Sequence, residues 1–166
     1  AGDEKKAISK IPWNVILLVL GVGVLMNIVS LSGGITLMAE GMTKIMTPKT
    51  ASSIMAVSAS VMSFFSSGLG VVFPTLIPTS SIIADNLGIS HYAKELVAMV
   101  TVGGTFTGIS PISTTGALIM SAVISDEKVK DKFPQNKLFL ELVFWAFFTI
   151  ILEVILAYLG IYKLFF

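Results

Sequence analysis

Three stretches without a single charge constrain this chain more than anything else in it: Ile11 to Ala39 (29 residues), Thr50 to Ala84 (35) and Leu96 to Ser125 (30). Each exceeds the roughly 20 apolar residues that a helix needs to cross a bilayer. A fourth, Leu138 to Leu164, is interrupted only by Glu141, Glu153 and Lys163. Only 13% of the 166 residues are charged, against about a quarter in ordinary soluble domains. The sequence therefore predicts an all-α integral membrane protein with several passes.

Length arithmetic then separates ordinary spans from unusual ones. Thr50 to Ala84 as one helix would reach about 52 Å, against a hydrocarbon core of about 30 Å, while two full spans and a turn need more than about 40 residues. Two arms of roughly 15 residues fit instead. They would meet at Ser66-Ser67-Gly68-Leu69-Gly70, within SFFSSGLGVVFPTLIPTSS, Ser63 to Ser81. This predicts a re-entrant helical hairpin whose tip lies near mid-membrane, with Gly68 and Gly70 permitting the turn, Pro74 in the first turn of the returning arm and Pro78 kinking it. A merely kinked helix would leave the length mismatch unexplained.

The third stretch repeats the pattern. Its centre, GGTFTGISPISTTGA, packs Gly103, Gly104, Gly108, Pro111 and Gly116 into 14 residues, which predicts a discontinuous helix unwound around Ser110 to Thr115. Unwound backbone at membrane depth must be buried in protein or line a wet cavity. Both breaks are rich in hydroxyls, so they are expected to face each other. Half-helix N-termini would then offer N–H groups to an anion, and half-helix C-termini would offer carbonyls to a cation.

The remaining segments fall around this pair. Residues 1–49 read as a tail, a scaffold-type transmembrane helix opening at Pro12 and Trp13, and an amphipathic interfacial helix within GGITLMAEGMTKIMTPK. Residues 50–125 hold the hairpin and the broken helix, and 126–166 a cytoplasmic loop and a last span. With Lys5, Lys6, Lys10, Lys128, Lys130, Lys132 and Lys137 on one side and Lys44, Lys49, Lys94 and Lys163 on the other, the positive-inside rule places the first group in the cytoplasm and the hairpin mouth outside. The sequence opens without an initiator Met, no cleaved leader is expected in its first residues, and it reads as one half of something larger.

Chemistry is limited by what is missing. There is no Arg, no Cys and one His, His91, which excludes a bidentate carboxylate clamp, disulfides, thiol nucleophiles and an imidazole cluster, and gives no nucleic-acid footprint. No nucleophile, base and orienting partner stand in a recognisable arrangement, so no enzyme is expected. Glu153 is expected to face protein or a polar neighbour, although an ionisable group in a span could also carry a coupling proton. His91 reads as a solvated interface residue.

IPWNVILLVLGVGVL, SSGLGVVFPTLIPT and GISPISTTGALIMSA resemble the C-terminal half of malonate or C4-dicarboxylate carriers, a branch of the ion transporter superfamily related to the divalent anion/sodium symporters. The resemblance runs from Pro12 through the last helix. It implies one of two inverted repeats of an elevator-type transporter, which sits in a bacterial inner membrane and dimerises through a scaffold. The second half would come from a missing N-terminal portion or a partner chain. Ser66, Ser67 and Gly68 match a hairpin-tip motif that reads Ser-Asn-Thr in the wider superfamily, and Ser110, Pro111, Ser113, Thr114 and Thr115 match a loop that often reads Thr-Pro-Pro-Asn. Neither Asn is present here, which agrees better with the malonate-carrier branch. The resemblance implies secondary active transport of a small dicarboxylate with Na⁺ or H⁺ as co-ion. Na⁺ would lie at Ser66, Ser67 and Gly68, and the lipid bilayer and the carboxylate would be the other partners. Alternatives are a cation/proton antiporter, a citrate or arsenite carrier, or a membrane fragment that serves assembly alone.

Overall fold

A chain with few charges and long apolar stretches must satisfy its backbone internally, and the helix does this within one segment. The computed structural model describes residue 8, residues 13–125 and residues 132–164. Pro12, Lys5, Lys6, Lys10, Lys128 and Lys130 lie outside the described residues. Among the described residues every regular element is helical: α1 (Trp13–Leu31), α2 (Gly34–Thr43), α3 (Ala51–Phe65), α4 (Phe73–Asn86), α5 (Ala93–Phe106), α6 (Thr114–Ser125) and α7 (Gln135–Tyr158). A π turn, Gly68–Val72, leads into α4, and 3₁₀ turns follow α4, α5 and α7.

Three helical stretches are long and apolar enough to cross a membrane: Gly68–Asn86, Ser90–Ser125 and Gln135–Tyr158. A fourth is added if Val24–Leu31 and α2, bent by 71° from each other, count as one span. By contrast, α3 has only 15 residues, about 22 Å at 1.5 Å per residue.

Side-chain pairings fix the directions of the helices. Ser52 on α3 meets Glu95 on α5, and eleven residues later Ser63 meets Gly104, so α3 and α5 run parallel. Phe73, at the start of α4, packs on Gly104, whereas Ile89 just beyond α4 bonds back to Ala84 and leads into α5. The chain therefore reverses at Ser66-Ser67 and again before α5. Helix α7 runs against α3, since Ser60 pairs with Glu153 and Phe64 with Phe147.

Burial explains the layering. Met55, Ala56 and Ala59 of α3, Val72, Leu76 and Ile83 around α4, and Leu96, Met99 and Val100 of α5 form one core. In lipid, apolar burial gives helices little drive to associate, so close packing and hydrogen bonds carry the association. Ala56, Ser60, Gly103 and Gly104 are all buried and small, and they let α3 and α5 approach closely. Helix α2 buries Ile35 and Ala39, the latter in the core, and exposes Leu37 together with Glu40.

Both breaks are narrower than expected. Only Ser66 and Ser67 are non-helical at the first, because Gly68 and Gly70 are wound into the π turn. Left-handed glycines occur at Gly33, Gly88 and Gly160 instead. Gly68 is needed for a different reason: a Cβ there would stand 2.7 Å from the Gly104 carbonyl oxygen. Pro78 lies inside α4, which runs on to Asn86. At the second break the unwound residues are Ser110 to Ser113, since Thr114 and Thr115 already open α6.

Candidate functional site

The first break is closed by short-range hydrogen bonds. Ser66 Oγ donates to the Met62 carbonyl at 2.5 Å, and Ser67 Oγ accepts from the Gly70 N–H at 3.0 Å. The Ser67 carbonyl accepts from Val71 and Val72. Ser63, one turn back, is fully buried and donates to the Gly104 carbonyl at 2.6 Å. Helix ends leave their first N–H groups without intrahelical acceptors, and here the N–H groups of Gly68 and Leu69 find none among the described residues.

At the second break one hydroxyl organises the turn. Ser113 Oγ shares its one proton between the carbonyls of Gly108 and Ser110 and accepts from the Gly116 N–H. Ser110 Oγ accepts from the Ile112 N–H. The result is a self-capped entry to α6, with Gly116 seated so closely on the Ser110 and Ile109 carbonyls that no Cβ fits. The N–H groups of Thr114 and Thr115 have no acceptor among the described residues.

The two breaks meet. A cavity of about 250 Å³ is lined by Ser67, Gly68, Leu69 and Phe73 from the first and by Gly104, Thr105, Gly108 and Thr115 from the second. At about 30 Å³ per water it has room for on the order of eight waters, or for a small organic anion with some of them. Its level follows from Phe64, next to the tip, which packs on Phe147 with ring centroids 5.1 Å apart. Phe147 lies midway along the 24-residue α7.

The structure thus brings together Ser67, Gly68 and Thr115 of the residues expected from sequence, and adds Thr105, Gly108 and Phe73. Ser66 stands beside the cavity without lining it. Ser110, Pro111 and Ser113 are buried behind it and shape the turn, while Thr114 is exposed. Thr105 and Gly108 belong to the glycine-rich stretch GGTFTGISPISTTGA, but only the parallel packing of α3 on α5 puts them opposite the hairpin tip. No charged side chain lines the cavity, and no cluster of three metal-ligating His, Cys, Asp or Glu side chains occurs among the described residues.

His91 lies in the 3₁₀ turn Ser90–Tyr92, exposed, with its ring 4.0 Å from that of Tyr92. Glu153 is buried on α7 and accepts from Ser60 Oγ at 2.9 Å. Comparisons with protein-family models, with curated proteins and with solved structures find no match.

Proposed function

We propose that this chain is one half of a secondary active carrier for a small dicarboxylate, with malonate the leading candidate, moved by alternating access without covalent chemistry. The observation that supports this reading most is the meeting of two helix breaks around one cavity at mid-height of α7. Breaks of this kind, facing each other near the bilayer midplane, are the structural pattern of secondary transporter sites. In this reading α3, too short to span, and the turn at Ser66-Ser67 make a re-entrant hairpin, and α5 and α6 are the halves of a discontinuous helix in an elevator-type repeat.

The cavity chemistry suits an anion that must be released. A carboxylate would be held by the N–H groups of Gly68, Leu69, Thr114 and Thr115 at two helix N-termini, aided by the hydroxyls of Ser67 and Thr115. Each contact is weaker than an Arg clamp, so no single group traps the cargo. Na⁺ fits the tip as co-ion: Ser66 gives its proton to Met62, which leaves its oxygen lone pairs free for a cation. The other half of the site would come from a second repeat, and dimerisation would occur through the scaffold.

The direct test is uptake of labelled malonate into cells that produce the full transporter and lack another route. Ser67→Ala and Thr115→Ala are each expected to cut uptake by 10-fold or more (about 1.4 kcal/mol or more) while the protein still unfolds cooperatively in detergent. Unchanged uptake in both variants would remove the cavity from the mechanism. Thermal stabilisation by Na⁺ with none by malonate would replace the carboxylate by a cation as cargo.

A further inference from the structure

A second polar site lies away from the break cavity, at the junction of α3, α5 and α7. Glu153 is 4% exposed. One of its carboxylate oxygens, Oε2, accepts from Ser60 Oγ at 2.9 Å. The other, Oε1, is buried without a hydrogen-bond partner. A Cβ on Gly103 of α5 would come within 2.9 Å of Oε2 and 2.7 Å of Ser60 Oγ, so the absence of a side chain there is what lets the carboxylate reach across. Glu153 also lines a cavity of about 230 Å³ with Val102, Phe106, Thr149, Leu152, Leu156 and Tyr162.

A carboxyl group placed in a span at this depth is costly, and its retention marks function by default. A neutral amide would serve equally well as the hydrogen-bond partner of Ser60, so the acid needs another reason. Among the described side chains ion pairing does not supply one: the ion pair found there is Lys137 with Glu141, on the exposed start of α7. Metal ligation does not either, because hard cations gather about six or more oxygens and the side chains around Glu153 are otherwise nearly all apolar. A proton requires only one oxygen and a neighbour to fix the group, and both are present.

We infer that Glu153 is a proton-binding site, with Ser60 as its positioning residue and the α5–α7 cavity as its access for water. On uptake, a hydronium ion reaching the cavity gives its proton to Oε1 and leaves as water, the carboxylate becomes a neutral acid, and Ser60 stays on Oε2; release reverses this. The titratable side chain sharing the cavity is Tyr162. Of the other elements packed on α7, α3, α6 and the 3₁₀ turn Thr107–Ile109 carry no charged residue, whereas the 3₁₀ turn Ile161–Leu164, which supplies Tyr162, also carries Lys163. Glu95 on α5 is as buried, is held by Ser52 at 2.6 Å and likewise leaves one oxygen, Oε2, without a partner, but it does not line this cavity. The inference does not depend on what the break cavity carries.

Infrared difference spectra of the detergent-solubilised chain across a pH titration test it. The wild type is expected to show a protonated-carboxyl band that appears and disappears with pH, Glu153→Gln to lose it, and Glu141→Gln, at the exposed pair, to keep it. Ser60→Ala should retain the band and shift both its position and its titration midpoint, which a purely structural serine would not do. Tyr162→Phe should leave the band in place. A spectrum of Glu153→Gln identical to the wild type overturns the inference, and so does a band that Na⁺ abolishes, which would make the site one for a metal cation. No transport is measured, so failed malonate uptake and a missing carboxyl band are separate outcomes.

Discussion

The two breaks solve the same problem in opposite ways. At the second, the turn holds itself: Ser113 bonds to Gly108, Ser110 and Gly116, and Gly116 lies directly on the carbonyls of Ser110 and Ile109. At the first, two serines tidy the local backbone, but the turn is placed by a neighbour, since Gly68 rests on the Gly104 carbonyl to which Ser63 also donates. A self-held turn can persist while its surroundings move. A turn held by its neighbour keeps its place only as long as α5 does, so the two breaks should respond differently to substitution.

The largest effect is expected from Gly116→Ala. Its Cβ would fall among backbone atoms, including the Ile109 carbonyl oxygen at 2.6 Å, and backbone cannot step aside as a flexible side chain would. Overpacking of this kind costs about 3 kcal/mol or more. Thermal unfolding in detergent should show the loss, with hydrogen exchange raised around residues 107–117 and nearly unchanged at the hairpin tip. Equal exchange at both breaks would contradict the self-held description.

Gly68→Ala comes next, at about 1–3 kcal/mol, because one carbonyl at 2.7 Å must give way. The sign that distinguishes it is spread: exchange should rise at residues 63–72 and on α5 around Gly104 together. A response confined to the tip would show that α5 does not hold it. The smallest effect belongs to Ser67→Ala, which removes the cap on the Gly70 N–H and should cost about 1 kcal/mol without moving either helix. A loss several times larger would mean that the local cap, and not α5, places the turn.

Much of this arrangement is legible in the sequence because it depends on length. An uncharged run of 35 residues fits neither one span nor two, and the run between Leu96 and Ser125 carries its glycines and proline in the middle, so residue order alone places both breaks. The division of labour among the hydroxyls is not legible in the same way. Ser66 and Ser67 are adjacent and chemically alike, yet one bonds backwards along α3 while the other caps the next turn. Ser113 and Thr115 lie two residues apart, yet one is buried as a backbone staple and the other opens on the cavity. These outcomes depend on which way a side chain points after the chain has reversed, and that is set by packing between α3 and α5. Gly68 shows the same limit: its small size is apparent in sequence, but the reason for it is a carbonyl 36 residues away.

That carbonyl, on Gly104, receives the Ser63 hydroxyl and lies under the Gly68 backbone at the same time. It acts as a pin through three pieces of chain, the end of α3, the start of the π turn and the last turn of α5. Because Gly104 also borders the cavity, a force that pulls the hairpin tip away from α5 bears on a peptide group at the cavity wall. Opening the cavity from the hairpin side therefore breaks the Ser63–Gly104 hydrogen bond, while Ser52 and Glu95 still hold the other end of α3 to α5.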